Sequence, residues 1–534
     1  MEENILRGLV IAGLLIFVIV QILRLVFKKY SLALTRQQKY SLKDLFKLIV
    51  NNSDLKKRIG ITIAILVFLH IASRIPLPGI DASILEKFFS NLLRTQGKAA
   101  AVLFPQKGLE RLTIFGLGLM PFLSSCILIQ ICSIFIAPLR RYSFGGEKGR
   151  YLVSKYTLIL TIVMAMIQSF LMSLWLGNPN NFHGFMLVSD PGIVFQVVTI
   201  LTMTAAVIIL LLAANLISSY GLGNGIALIV ISQFPSSLIQ NFYRMYVEMQ
   251  TGVLPLIVII LSVAIFLLFI YGIFYVTRLT KTISIKTNNS TEIFIPFRPT
   301  LVGNEPLGWA MALFLLPATI AAISHQPAAQ HFLSQLMGNR LFYWIISICL
   351  IALLTFLYAL IVFDPKYIKN LLSKYGYSFS SNTADSVEES SGEDMTRVLI
   401  VTALFFIGIF LMPYLIGLLL KIPYYGTKII FGASVVIVIG VFSDIIAQLS
   451  FFKEKYSSGI ENWNICYVAF DEIEAEITKT FLEDKGITAL IEPLRFSWGM
   501  PIRTMVDQYR IYVAADNKEK ARSLILEENN NDAN

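Results

Sequence analysis

LGLMPFLSSCILIQ, from Leu117 to Gln130, and GLGNG, from Gly221 to Gly225, decide how this chain folds. Both interrupt long apolar stretches with glycine, and the first adds Pro121. In lipid every backbone N–H and C=O needs a partner within the protein, so irregular backbone at membrane depth survives only where it is buried in protein or lines a watery cavity. Such breaks point to a channel or transporter core.

The sequence around these stretches requires a bilayer. Hydrophobic residues make up 56% of 534 and charged residues 15%, and the mean hydropathy is +0.69; a water-soluble fold of this size would expose too much apolar surface. About eleven runs of roughly twenty apolar residues are each long enough to cross a ~30 Å hydrocarbon layer as a helix. The leading run, Ile5 to Phe27, is too long for the apolar region of a signal peptide and lacks a small-residue cleavage pattern, so it reads as a retained helix. The others fall near 59–75, 112–137, 156–176, 193–214, 226–244, 255–276, 305–324, 341–363, 397–419 and 429–449.

The net charge of +10 sits in short basic blocks beside the apolar runs, which reads as a topology signal rather than a DNA-binding surface. Blocks at Lys28 to Arg58 and at Arg140 to Lys155, and the loops holding Arg278, Lys281, Lys286 and Arg298 and then Lys366, Lys369 and Lys374, belong in the cytosol, whereas the loop from Gly177 to Gly192 has no Lys or Arg. The amino terminus is then outside and the carboxyl terminus cytosolic. Leu42, Leu45, Phe46 and Ile49 recur at helical spacing, the pattern of a helix in the headgroup region, with an ordinary linker as the alternative. Four cysteines without CxxC spacing and four scattered histidines support neither a disulfide framework nor a metal site. No Walker motif or catalytic dyad is present, so neither enzymatic activity nor a cofactor is expected.

Three segments depart from the membrane pattern. Residues 76–110 exceed a hairpin turn and carry apolar pieces too short to span, so they form a surface loop or re-enter the membrane mouth within protein. SFSSNTADSVEESSGE, residues 378–393, is polar and acidic and reads as a cytosolic loop insert. From Trp463 to Glu528 the composition is that of a soluble domain, with strand-like NICYVAF, helical EIEAEITKTFLEDKG, strand-like ITALIE and QYRIYVAA, and helical KEKARSLILEE, a small β-α-β-β-α unit.

RIPLPGID (Arg74 to Asp81), LGLMPFLSSCILIQ, GGEKGR and SKYT (Gly145 to Arg150, Ser154 to Thr157), GLGNGIALIV, IPFRP with GNEP (Ile295 to Pro306), LLPATIA (Leu315 to Ala321) and FDPKYIKNLL (Phe363 to Leu372) occur in an order and spacing that resembles the SecY family over roughly residues 43–455. The resemblance implies an all-α polytopic membrane protein with a ten-helix core in two pseudo-symmetric halves, 41–250 and 251–456, related as in inverted-repeat transporters. Residues 1–40 would hold the extra leading helix and its linker, and 457–534 a cytosolic α+β domain similar to ferredoxin-like signal-transducing modules. Carried over by motif, a pore ring falls on Leu119, Leu123, Ile226, Val230, Gly308 and Ile437, a plug on residues 82–110, and a lateral gate on Ser124, Gln130, Gln168 and Thr300. Arg278, Arg298, Lys366, Lys369 and Lys374 would dock cytosolic partners or serve only as topology determinants. The implied partners are SecE-like and SecG-like small membrane subunits, the SecA motor or the ribosome, secretory and membrane protein substrates, and the lipid of a bacterial cytoplasmic (inner) membrane. DNA is not among them.

Independently of that resemblance, Leu119 and Leu123 are one helical turn apart, as are Ile226 and Val230, so each pair aims two branched side chains along one face. The sequence departs from the family at Gly308, where an aliphatic ring residue is usual, at Asn215 and Thr300, and after Leu371, where IPGIRPG is missing and the acidic insert follows. A protein-conducting channel is the leading function. A secondary transporter of a small solute would need ionisable residues at mid-membrane, for which only His70 qualifies; an insertase or assembly scaffold without a continuous pore is the third reading.

Overall fold

The computed structural model describes residues 42–81, 112–136, 146–182, 184–232, 255–277, 281–286, 292–297, 340–362, 371–373, 402–412, 433–460, 462–469, 472–493 and 509–531, with isolated positions such as Ser83, Ile84 and Tyr375. The leading apolar run, most of the expected plug, the span near 305–324 and the acidic insert lie outside these residues. In chain order the helices are α1 (Leu42–Asn51), α2 (Ser53–Ala72), α3 (Met120–Phe135), α4 (Gly146–Leu176), α5 (Ile193–Tyr220), α6 (Gly225–Ser232), α7 (Leu256–Thr277), α8 (Arg340–Val362), α9 (Thr402–Met412), α10 (Ala433–Ser457), α11 (Glu472–Asp484) and α12 (Lys518–Asn531). The strands are β1 (Lys281–Lys286), β2 (Glu292–Phe297), β3 (Trp463–Ala469), β4 (Ala489–Pro493) and β5 (Tyr509–Ala514). Among the described residues, Tyr151–Leu176, Ile193–Tyr220 and Leu256–Ile273 are long and apolar enough to cross a membrane.

The chain divides into two compact units, one built on Asn52–Ile239 and the other on Gln240–Pro501 with Met1–Asn51 and Val506–Asn534. In the first, α4 packs between α3 and α5, and α5 also meets α2 and α6. Helix α5 is apolar all round: Phe195, Met203, Val207, Leu210, Ala214 and Ile217 are buried at helical spacing, while Leu201, Leu212 and Leu216 are exposed. One face is for protein and the other suits lipid. Helix α2 starts six residues before the expected span because Asn52 caps it, its Oδ1 accepting from the N–H groups of Asp54 (3.0 Å) and Leu55 (3.4 Å).

Helix α3 departs from expectation in the other direction. Residues 112–119 are turns rather than helix, with Leu112 at φ +42° and Gly118 at φ +54°. The preceding segment ties down here: Pro76 bridges Thr113, Leu77 N–H donates to Leu112 C=O at 2.8 Å, and Ile114 N–H donates to Ile75 C=O at 3.1 Å. Ile80 bridges Val188, and Asp81 N–H donates to Leu187 C=O at 3.1 Å. Leu77, Leu112, Leu176, Phe182, Leu187, Val188, Phe195 and Met203 form the apolar cluster beneath, with Trp175 edge-on to Phe182 at 4.6 Å.

In the second unit, α1 packs against α10, so the helix expected in the first half groups with the later one. Between Arg278 and Arg298 lies an antiparallel hairpin absent from the sequence reading, β1 pairing β2 from Lys281↔Phe297 to Lys286↔Glu292. Helix α10 runs two turns past its apolar stretch. The carboxyl-terminal module has strand order β3-β5-β4, all antiparallel, with a bulge between Ile465 and Tyr467. Its core joins Ile473, Ile477, Phe481 and Leu482 of α11 to Ala469, Ile511 and Val513 of the sheet and to Ala521 and Ile525 of α12. Gly486, at φ +76°, closes α11, and Ile487 N–H returns to Leu482 C=O at 2.8 Å.

Candidate functional site

The GLGNG break is a braced turn between two helices. Helix α5 stops at Tyr220, Gly223 takes φ +90°, and Asn224 starts α6, its Oδ1 accepting from the N–H groups of Ile226 (3.0 Å) and Ala227 (3.2 Å). Ser218 Oγ accepts from Gly225 N–H at 2.9 Å. From α2, Thr62 Oγ1 accepts from Leu222 N–H at 2.9 Å while donating to Arg58 C=O at 3.1 Å, and Arg58 Nη1 donates to Gly221 C=O at 3.5 Å. Backbone groups released by the break therefore find side-chain partners, as buried irregular backbone requires.

The glycines are required by close approach. A Cβ at Gly225 would collide with the Ala214 carbonyl of α5, and one at Gly221 with the Thr62 hydroxyl and Ile217 carbonyl. Backbone thus rests on backbone where α6 leaves α5. This fixes Ile226, which is buried with Ala227, Leu228 and Ile229, while Val230 one turn later is half-buried.

In the other stretch, Leu119 is the N-cap position of α3 and Pro121 sits in its first turn, where a missing N–H costs nothing. Leu123 N–H donates to Leu119 C=O at 3.0 Å, so the two leucines lie one turn apart although Leu119 precedes the helix proper. Leu119 is 5% exposed and Leu123 half-buried. Ser125 Oγ donates to Pro121 C=O at 2.7 Å, filling its hydrogen-bonding need within its own helix.

Of the ring positions, Leu119, Leu123, Ile226 and Val230 lie in the first unit; Gly308 is outside the described residues, and Ile437 is on α10 with its side chain outside them. Ser124 and Gln168 are half-buried on the packed helices α3 and α4; Gln130 is on α3 with its side chain outside the description, and Thr300 is outside it. Arg278, Arg298, Lys366, Lys369 and Lys374 all lie outside the described residues. His70 is exposed near the end of α2, with Arg74 Nη2 3.5 Å from its Nε2. Among the described residues no three His, Cys, Asp or Glu side chains gather as a metal site would require.

Thr62, Arg58, Ser218 and Asn224 were missed as supports. Only Asn224 carried a local signal, a capping residue before Gly225 at the start of an apolar run; the others act across sequence distance.

Helices long and apolar enough to cross a membrane, one of them followed by a glycine turn braced through a neighbouring helix, define a polytopic membrane protein. The family model described as SecY matches residues 113–446, both interruptions included, and the chain belongs to the SecY family. It is 28% identical over 440 residues to the protein translocase subunit SecY of Aquifex aeolicus, covering 78% of this chain and 98% of that one. Identity to the same subunit of Escherichia coli strain K12 is 26% over 430 residues, covering 77% and 95%. A solved SecY structure concerned with the plug domain and the closed translocation channel aligns over 79% of this chain and 100% of its own, at 16% identity and a TM-score of 0.49. The carboxyl-terminal module lies beyond the family match.

Proposed function

We infer that this chain is the protein-conducting channel subunit of a Sec translocon, passing unfolded secretory chains across a bacterial cytoplasmic membrane and releasing apolar segments sideways into lipid. The family match over both broken stretches carries the reading. Leu119 and Leu123 on one rigid support and Ile226 and Val230 on another supply branched apolar side chains for a constriction, joined by Ile437 and, in place of an aliphatic, Gly308. A narrow apolar ring holds back ions by dewetting and makes no sequence-specific hydrogen bonds, which suits a conduit for arbitrary polypeptides. Segments leave for lipid when their summed insertion energy is favourable, about −0.3 to −0.6 kcal/mol for each Leu, Ile, Phe or Val at a helix centre.

Residues 82–110 act as the plug, and Ser124, Gln130, Gln168 and Thr300 line the lateral gate, where hydrogen bonds between helices are worth only ~0.6 kcal/mol each and yield readily. The basic loops face the cytosol, SecE-like and SecG-like subunits complete the complex, and the driving force comes from a SecA-type motor or a ribosome. The test is ion conductance in planar bilayers: Leu119→Ser with Leu123→Ser wets the constriction and raises the leak, and an unchanged leak rejects their place in the ring.

A further inference from the structure

The carboxyl-terminal module is seated on the membrane-helix body through buried polar ties. Glu492 of β4 is fully buried: its Oε1 accepts from Gln448 Nε2 of α10 at 3.1 Å, and its Oε2 accepts from the Tyr512 hydroxyl at 2.7 Å and lies 3.7 Å from Arg510 Nη1. Phe451 and Phe452 of α10 are each 1% exposed, Phe451 packs against the Tyr512 ring at 5.2 Å, and Lys455 Nζ stands 4.8 Å from that ring's centre. A second tie joins the loop after Leu371 and Leu372, both buried, to α11: the Tyr375 and Thr478 hydroxyls are 2.8 Å apart, and the Tyr375 and Phe481 rings 5.0 Å. Helix α11 also runs beside β2 of the hairpin.

A helix lying on a three-stranded sheet normally shows water its outer face. Here Glu472, Ile473, Glu474, Ala475, Ile477, Thr478, Phe481 and Leu482 of α11 are all buried, because the sheet covers one side and the hairpin and loop cover the other. The module is therefore not an appendage on a tether. Its contact mixes aromatic packing with hydrogen bonds that water can replace when the surfaces part, the make-up of a separable interface.

Resting on the channel reading, we propose that this module is a built-in competitor: seated, it occupies the end of α10, Tyr375 and the hairpin, and a soluble protein motor engages that face only after the module lifts away. The contacts the module makes are largely aromatic, Tyr375 with Phe481 and Phe451 with Tyr512, which fits a protein surface rather than the phosphates of RNA.

The test uses the full chain in nanodiscs, wild type against Gln448→Ala with Tyr375→Ala, and against Gln448→Glu, which sets a second carboxylate beside Glu492 without altering the module. Hydrogen exchange reads whether α11 is covered, and binding of purified SecA reads whether the face is open. Both variants are expected to speed exchange in α11 and to bind SecA at least tenfold more tightly than wild type. Unprotected α11 in wild type, unchanged exchange in both variants, or faster exchange without tighter SecA binding overturns the proposal, as does a gain for ribosomes alone. Failure of the channel reading is seen separately, in the conductance of the Leu119→Ser, Leu123→Ser variant.

Discussion

Among the described glycines, Gly225 has the least room for a side chain. Its α-carbon lies against the Ala214 carbonyl, so Gly225→Ala must push apart two backbones rather than a side-chain tip. Overpacking of this kind costs roughly 1–3 kcal/mol, and the thermal unfolding midpoint of the purified protein is expected to fall accordingly. Cys466 is instead a group whose ionisation is set chiefly by burial. Desolvation pushes its thiol up from 9.0 to about 11. An acid whose folded value lies above its unfolded one keeps its proton longer when folded, so its stabilising contribution is complete below about pH 9 and is lost as pH rises from 9 to 11. Alkylation followed by mass spectrometry should leave Cys466 unlabelled at pH 9 and label it as the pH nears 11; early labelling of Cys466 would contradict its burial.

At the level of elements, legibility followed the range of the interactions. Strand Trp463–Ala469 and helix Glu472–Asp484 begin within a residue of the stretches that suggested them, because alternation and helical period are local. Helix α3 was misjudged: apolar content continues through residues 112–119, yet bridges to Pro76 and Ile75 hold that backbone in turns, and no local pattern reports a partner so far back. The hairpin was legible and overlooked. Ile283 and Ile285 alternate with polar residues, Ile293 and Ile295 follow, and Asn288 and Asn289 lie between, a local pattern that favours a hairpin. The bridged segment gives its own prediction. Leu77 is 1% exposed in the cluster that anchors both flanks of residues 82–110, so Leu77→Ala should cost ~2–5 kcal/mol by leaving a cavity. Limited proteolysis between 82 and 110 should quicken with it; unchanged cleavage would show that the anchor does not depend on this side chain.

For the molecule as a whole, composition fixed the solvent and the order of motifs fixed the family, whereas the brace of the GLGNG turn and the tie of the carboxyl-terminal module are pairwise contacts between residues far apart in the chain. Thr62 meets Leu222, and Gln448 meets Glu492; a threonine in an apolar run and a glutamine near a helix end say nothing alone. The brace at Thr62 also bears on how such a pore widens. Helices α2, α5 and α6 are coupled through Arg58, Thr62, Ser218 and the bare crossing at Gly225, so Ile226 cannot swing aside by itself. On the proposed reading of Ile226 as a ring residue, dilation then displaces that trio as one block.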